Sequence, residues 1–361
     1  MTPTVTVYVS RLFLGRLVVV GFGFVALLQV FDLLKNARDI LERHGDGLAS
    51  LAYYAALRLP GTISFLLPLC VLVAALMTLA RLAQHNEMIA LKAAGLSLYR
   101  LLLGFVPAAL AIALAQWLLA DQLATAANRA LERWDAESVA EAPGSVAERR
   151  AVWVRSGPWV ARIGAVLADG HELVDVTLFR RDPSGNLSER LVARKARYAG
   201  GGWRLGDVRR TVWPRLGPPE TSRIARYLWL SALAPGEIAD LSTDPKGLSL
   251  QALLGFARAS GLGTHPRHFY RTWVQKRLAT PASALVMIVL AVSVTQTLAR
   301  GSAMAVNVAA GIGLGFLYLI AEGVVLTLGE AGTLPPVLAA WAPVAVFGSI
   351  GGAALVVREG G

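Results

Sequence analysis

The sequence predicts an α-helical membrane protein with six transmembrane helices, three before and three after an inserted polar domain of β-jellyroll-like pattern. Three observations carry this. Apolar stretches lie at residues 12–34, 59–80, 101–120, 278–299, 301–321 and 331–357, and five of them hold no Asp, Glu, Lys or Arg. Each has the roughly 20 residues a helix needs to cross a hydrocarbon core of about 30 Å. The whole chain is 55% hydrophobic and 16% charged, with a mean hydropathy of +0.53; a soluble chain of this length is less apolar. Between the third and fourth stretches the pattern turns polar and Arg-rich. The expected division is therefore residues 1–121 with a connecting helix at about 84–95, then 122–270, then 271–361.

The first stretch carries Arg16 and Asp32 near its ends. It is not read as a cleaved signal, because no small-residue cleavage site follows and the chain continues directly through Lys35. The second contains Cys70, the single cysteine, so an intrachain disulfide is excluded and the thiol reads as a small core hydrophobe. Six crossings place both termini on one side. Arg11, Arg16, Arg81, Lys92, Arg100, Arg300 and Arg358 would then share that side, against Lys35, Arg38, Arg43, Arg58, Arg267, Arg271, Lys276 and Arg277 opposite. Such a near tie leaves orientation open by charge alone.

The connection between stretches two and three holds more information. Leu82, Ile89 and Ala93 share a helical face, with Gln84, Asn86, Glu87 and Lys92 largely elsewhere. Gly95 suits a helix stop and Ser97 a cap for the next helix. A short surface helix follows, either a solvated turn or a docking element for another subunit.

Residues 121–141 extend the third helix as a polar helix. After Gly144 the period changes to two: Val152 and Val154, then Val174, Val176 and Leu178, then Trp203 and Leu205 alternate with polar neighbours. Turn residues at 156–158, 169–170, 182–186 and 200–202 punctuate them. An antiparallel sandwich or open roll is expected. Helical spacing returns from Leu248 to Gln275. In the fifth stretch Gly311, Gly313 and Gly315 sit in an apolar helix, where small residues allow close helix approach.

No energy source is encoded. A Walker A loop ends in Gly-Lys, and the five lysines follow Leu34, Leu91, Arg194, Pro245 and Gln275. No Ser elbow or zincin motif appears. His265 and His268 are the one close histidine pair, but Pro266 interrupts them and no acid or cysteine completes a metal set. The chain reads as a transport subunit without enzyme chemistry, cofactor or metal. The competing classes are a lipid-modifying enzyme, which lacks its catalytic cluster, and a membrane-anchored scaffold or sensor whose β domain binds proteins.

The run NEMIALKAAGLS at residues 86–97 closely resembles the coupling-helix motif of the LptF/LptG permeases of lipopolysaccharide export. FDLLK at 31–35, Leu59-Pro60, DPKGLS at 244–249 and GIGLGFLY at 311–318 extend the resemblance along the chain, closer to the LptG branch. The resemblance implies cytoplasmic termini, a periplasmic jellyroll and location in the Gram-negative inner membrane. It further implies an LptF-like second permease, an LptB-like ATPase dimer that receives the coupling helix, and an LptC-like subunit. Glu87 takes the acidic position of that motif, with Asn86, Lys92 and Gly95 around it. Lys35 matches a basic residue that contacts the lipid head group. The following basic position is Asn36 here, and Arg38, one turn on, is expected to substitute. The alternative is that Lys35 and Arg38 anchor the helix or pair with Asp32 and Asp39. Glu322, Gly311, Gly315 and Phe316 fall on the family's lateral gate, and Glu322 is expected to pair with Lys35 or Arg38 until lipid phosphate displaces it.

Overall fold

The computed structural model describes residues 3–45, 47–85, 87, 98–141, 151–167, 170–182, 186–214, 217–231, 234–236, 238, 247–258, 265–298 and 304–359. The helices are α1 (Pro3–His44), α2 (Leu48–Gln84), α3 (Leu98–Leu118), α4 (Ala124–Glu141), α5 (Leu250–Arg258), α6 (Arg267–Leu298), α7 (Met304–Glu330) and α8 (Pro336–Glu359). A π-helical turn, Leu119–Leu123, joins α3 to α4. Among the described residues, six helices are long and apolar enough to cross a membrane: α1, α2, α3 running on into α4, α6, α7 and α8. The chain forms two compact units, Met1–Arg38 with Leu51–Ala124 and Arg271–Gly361, and Asp39–Ser50 with Thr125–Tyr270.

The helical unit is built around α2 and α6. Val71, Leu72, Ala74, Ala75 and Leu79 of α2 and Ala284, Met287 and Ala291 of α6 are buried in one cluster with Phe13 of α1 and Phe105 of α3, whose two rings meet edge to face at 5.4 Å. Small residues set the approach of α7 to α2. A Cβ on Gly311 would lie 2.1 Å from Leu76 Cδ1, and one on Gly315 2.7 Å from Leu69 and Leu72 methyls. The two glycines stand four residues apart, one turn, so they make one smooth face. On the other side of α6, Gly351 of α8 lies against Val289 and Leu290, and its carbonyl accepts from Ser293 Oγ at 2.7 Å.

Burial is uneven in a way that matters later. The apolar window of α2 is 67% buried and that of α6 56%, whereas α1 reaches 11% and α7 17%. Val18, Val19, Phe22 and Leu34 of α1 and Phe316, Leu317 and Ile320 of α7 all lie exposed.

In the second unit β1 (Val152–Ser156), β2 (Trp159–Leu167), β3 (Glu172–Arg181), β4 (Leu187–Tyr198), β5 (Trp203–Val212) and β6 (Glu220–Trp229) form one antiparallel sheet in sequence order. That sheet folds over on itself. Trp159 on β2 and Tyr227 on β6 have ring centroids 6.5 Å apart, yet four strand spacings in a flat sheet would separate them by about 19 Å. Ser156 at the end of β1 and Ser231 just past β6 share a hydrogen bond at 2.8 Å between their hydroxyls. The result is an open roll, one of the two arrangements expected, with Val154, Ile163, Val176, Leu178, Leu191, Leu205 and Val208 turned inward and fully buried. At its mouth the buried Glu189 accepts from Arg210 Nε at 2.6 Å and pairs with Arg180 at 3.6 Å. Burial raises the Tyr227 phenol above its ordinary pKa; Glu189 adds to that, and Arg210 and Arg180 oppose it.

A crease crosses the sheet. Gly164, Asp175, Arg194 and Asp207 drop out of the strand pairing in one row, without any slip of register on either side of it. Asp175 and Asp207 have φ of 51° and 48°, the left-handed region that a short polar side chain tolerates. Alternation reverses phase there, so Leu173 and Val176, Ala193 and Ala196, and Leu205 and Val208 are inward three residues apart. Val174, expected to face inward with Val176 and Leu178, therefore lies beyond the crease and is only half-buried, while Leu173 takes the core position.

Gly170 closes the β2–β3 turn with φ of 90°, and a Cβ there would lie 1.9 Å from the Pro235 carbonyl oxygen. Gly170→Ala is expected to destabilise the roll by about 2 kcal/mol or more, through left-handed strain and a backbone clash. Gly200→Ala, with φ of 54° but nothing within 4 Å, should cost only the strain, about 1–2 kcal/mol. Thermal unfolding and limited proteolysis of the detergent-solubilised chain measure both; equal losses would contradict the clash.

Candidate functional site

The ionisable side chains near the apolar helices are few, and their pairings decide which of them remain available. On α1, Asp32 Oδ2 takes Arg58 Nε of α2 at 3.5 Å, and its Oδ1 accepts from Asn36 Nδ2 at 3.2 Å. Asn36 also donates to the Asp32 carbonyl at 2.8 Å, so the residue that replaces a base here serves to hold the acid. Asp39 pairs with Arg43 one turn on, at 3.7 Å. Both acids expected to be able to neutralise Lys35 and Arg38 thus have other partners. Among the described residues Lys35 makes no hydrogen bond or ion pair, and its side chain is exposed. Arg38 is exposed as well.

Glu322 goes elsewhere than expected. Its carboxylate pairs with Lys276 of α6, the two side chains being 14% and 16% exposed, and accepts a hydrogen bond from Tyr318 at 3.3 Å. Pairing with Lys35 or Arg38 is corrected accordingly. The reason lies in the hairpin of α6 and α7: Lys276 stands 22 residues before the end of α6 and Glu322 18 residues after the start of α7, so antiparallel packing brings them level. Tyr318 is itself fully buried, its ring edge-on to Phe347 of α8 at 5.2 Å.

Neighbouring polar groups extend this layer. Arg277 NH1 donates at 2.5 Å to the carbonyl of Ala120, inside the π-helical turn where the Ala124 amide reaches back to Leu119. Trp273 Nε1 donates to Glu330 at 3.0 Å and Trp341 Nε1 to Gln275 at 3.2 Å. Amphipathic indoles at this kind of depth suit a membrane–water boundary. Consecutive residues Lys276 and Arg277 therefore bolt α6 to α7 and to the π-helical turn that follows α3.

The gate residues divide. Gly311 and Gly315 are turned onto α2, whereas Phe316 is 47% exposed beside Leu317 and Ile320. Of the coupling set, Glu87 accepts from the Tyr8 hydroxyl at 3.3 and 3.2 Å through its two oxygens. Asn86, Lys92 and Gly95 lie outside the described residues. Near Glu87, Ser10 Oγ donates to the Gly104 carbonyl at 3.0 Å and Arg16 to the Met77 carbonyl at 2.8 Å, so this end of α1 is tied to α3 and α2. His265, one of the close histidine pair, stacks on Phe269 at 4.3 Å. Tyr8, Arg58 and Lys276 are the partners that sequence reasoning did not find.

A family model described as "Lipopolysaccharide export system permease LptF/LptG" matches residues 7–357. The chain is similar to the lipopolysaccharide export system permease protein LptG of Escherichia coli K12, 20% identical over 342 residues that cover 94% of each chain. It is also similar to the protein of that name from Haemophilus influenzae, 22% identical over 353 residues that cover 96% of each.

Removing one partner of a sequestered ion pair leaves an uncompensated charge, which costs about 3–5 kcal/mol, while replacing both is close to neutral. Lys276→Met and Glu322→Leu should each lower the unfolding temperature in detergent, and the double variant should recover most of the loss. Two silent single variants would show that the pair carries no such burden.

Proposed function

The chain belongs to the LptF/LptG family of lipopolysaccharide export permeases, and from that premise we propose that it is the LptG-like half of an inner-membrane ABC transporter. It works with an LptF-like permease, an LptB-like ATPase dimer and an LptC-like subunit, extracting lipopolysaccharide and passing it to a periplasmic bridge towards the outer membrane. Both termini are cytoplasmic and the β unit is periplasmic. The family match along residues 7–357 carries this reading.

The helical unit supports it physically. An exporter of a multi-acyl lipid needs an apolar cavity, and six helices supply only part of a wall. The uncovered apolar faces of α1 and α7 suit that wall. Phosphates at the lipid head require cations, best placed where water is partly excluded and ion pairs are less screened. Lys35 suits that role because no described residue of its own chain neutralises it. Lys276 does not, being committed to Glu322. Phe316, exposed on α7, lines the gate, and Gly311 and Gly315 hold α7 in position from behind.

At the opposite end of α1, Glu87 is the docking acid for the ATPase, and Asn86, Lys92 and Gly95 complete the docking motif of the sequence. Closure of the ATPase dimer on ATP pushes through this contact, the cavity narrows and the lipid is expelled. The chain performs no bond chemistry of its own.

The test is co-purification of the tagged chain in detergent. Wild type should bring down an LptB-like ATPase and an LptF-like subunit. Glu87→Ala should weaken the ATPase association by roughly tenfold or more, the scale expected when one partner of an interfacial charge contact is truncated, and leave the LptF-like subunit bound. Lys35→Ala should keep both partners yet reduce lipopolysaccharide release in proteoliposomes. A chain that emerges alone, or with periplasmic proteins only, would replace this reading with that of an anchored scaffold.

A further inference from the structure

The outer face of the roll carries like charges in register. Arg197 on β4 stands directly opposite Arg204 on β5, and Arg209 on β5 directly opposite Arg223 on β6. In a neighbouring row Lys195 and Arg226 flank Gly206 from either side. All six cations are exposed. The acids on this face are fewer: one oxygen of Glu172 meets Lys195 at 3.3 Å and Arg197 at 3.7 Å, and the exposed Asp207 stands beside Gly206 at the crease. Like charges directly opposite across an antiparallel pair destabilise a sheet. Folding gains nothing from them, because the apolar core of the roll lies on the other face.

We propose that this face binds the phosphorylated oligosaccharide of lipopolysaccharide. The identity of the ligand rests on the export reading; the anion site rests on the register. Five of the six cations are arginines, whose planar forks match phosphate oxygens two at a time. They spread over three strands: paired strands lie about 5 Å apart, Lys195 and Arg197 about 7 Å apart along β4, Arg223 and Arg226 about 10 Å along β6, and Arg204 and Arg209 about 17 Å along β5. Anionic groups spread over a branched glycan fit such an array, whereas an extended acidic peptide presents one row. Gly206 adds room: a Cβ there would meet nothing within 4 Å, so the floor between Lys195 and Arg226 is bare backbone on which a sugar can rest.

The test uses the full chain in detergent and a deacylated, phosphorylated lipopolysaccharide oligosaccharide, which has no acyl chains to enter a membrane cavity. Wild type should bind it, more weakly as salt rises, and at least tenfold more weakly once the probe is dephosphorylated. The triple variant Arg204→Gln, Arg209→Gln, Arg223→Gln should lose at least tenfold in affinity. Without ligand that variant should melt at the same temperature as wild type or higher, since repulsion has been relieved. Equal binding by the variant, indifference to phosphate, or a lower melting temperature would overturn the proposal. Tighter binding of polyglutamate than of the oligosaccharide would assign the face to an acidic protein instead. If wild type binds no oligosaccharide the inference falls, and ATPase co-purification then decides separately whether the export reading stands.

Discussion

A hydrocarbon surround offers no water to receive a stray charge, so every ionised group near the six apolar helices must be neutralised within the chain or by what the chain binds. Most are settled internally. Asp32 has Arg58, Glu322 has Lys276, Arg277 has the Ala120 carbonyl and Arg16 the Met77 carbonyl. These contacts fix α1 to α2 and α6 to both α7 and the π-helical turn after α3. They also leave Lys35 unmatched among the described residues. In a permease of an anionic lipid, an unmatched cation at the end of an apolar wall is where a phosphate is wanted.

Packing determines which walls stay open. Because Gly311 and Gly315 let α7 press onto Leu69, Leu72 and Leu76, the opposite side of α7 is free to present Phe316, Leu317 and Ile320. Substituting larger residues at the glycines would push α7 away from α2 and move that face. The same logic makes α1 a long rod, tied near Tyr8, Ser10 and Arg16 at one end and through Gln29 to the Ala55 carbonyl further on. A rod of this kind connects the acid that would meet the ATPase with the base that would meet the lipid.

Much of this was legible in the residues. The apolar stretches located all six long helices because their length and lack of charge have one physical solution, and period-two segments located β1, β3 and β5, though not β2, β4 or β6. Pairings were harder. Reasoning from a gate matches Glu322 to Lys35 or Arg38, whereas its partner is Lys276, which stands 22 residues before the end of α6 as Glu322 stands 18 after the start of α7. Val174 was misplaced because alternation assumes an uninterrupted pleat, and the left-handed Asp175 breaks it. Folding of the sheet into a roll depends on contacts such as Trp159 with Tyr227, 68 residues apart, that no local pattern encodes. Arg58 and Tyr8 likewise act through long-range contacts with Asp32 and Glu87.

The central claim is that the bare faces of α1 and α7 form part of a lipid-holding cavity. Photo-crosslinking in cells tests it most directly, with a photoreactive residue placed at Leu34 or Phe316 and, as a packed control, at Leu79. The account predicts lipopolysaccharide adducts at the first two positions and none at the third, with yields that fall when the ATPase is allowed to turn over. Adducts to bulk phospholipid or proteins alone at Leu34 and Phe316 would contradict it.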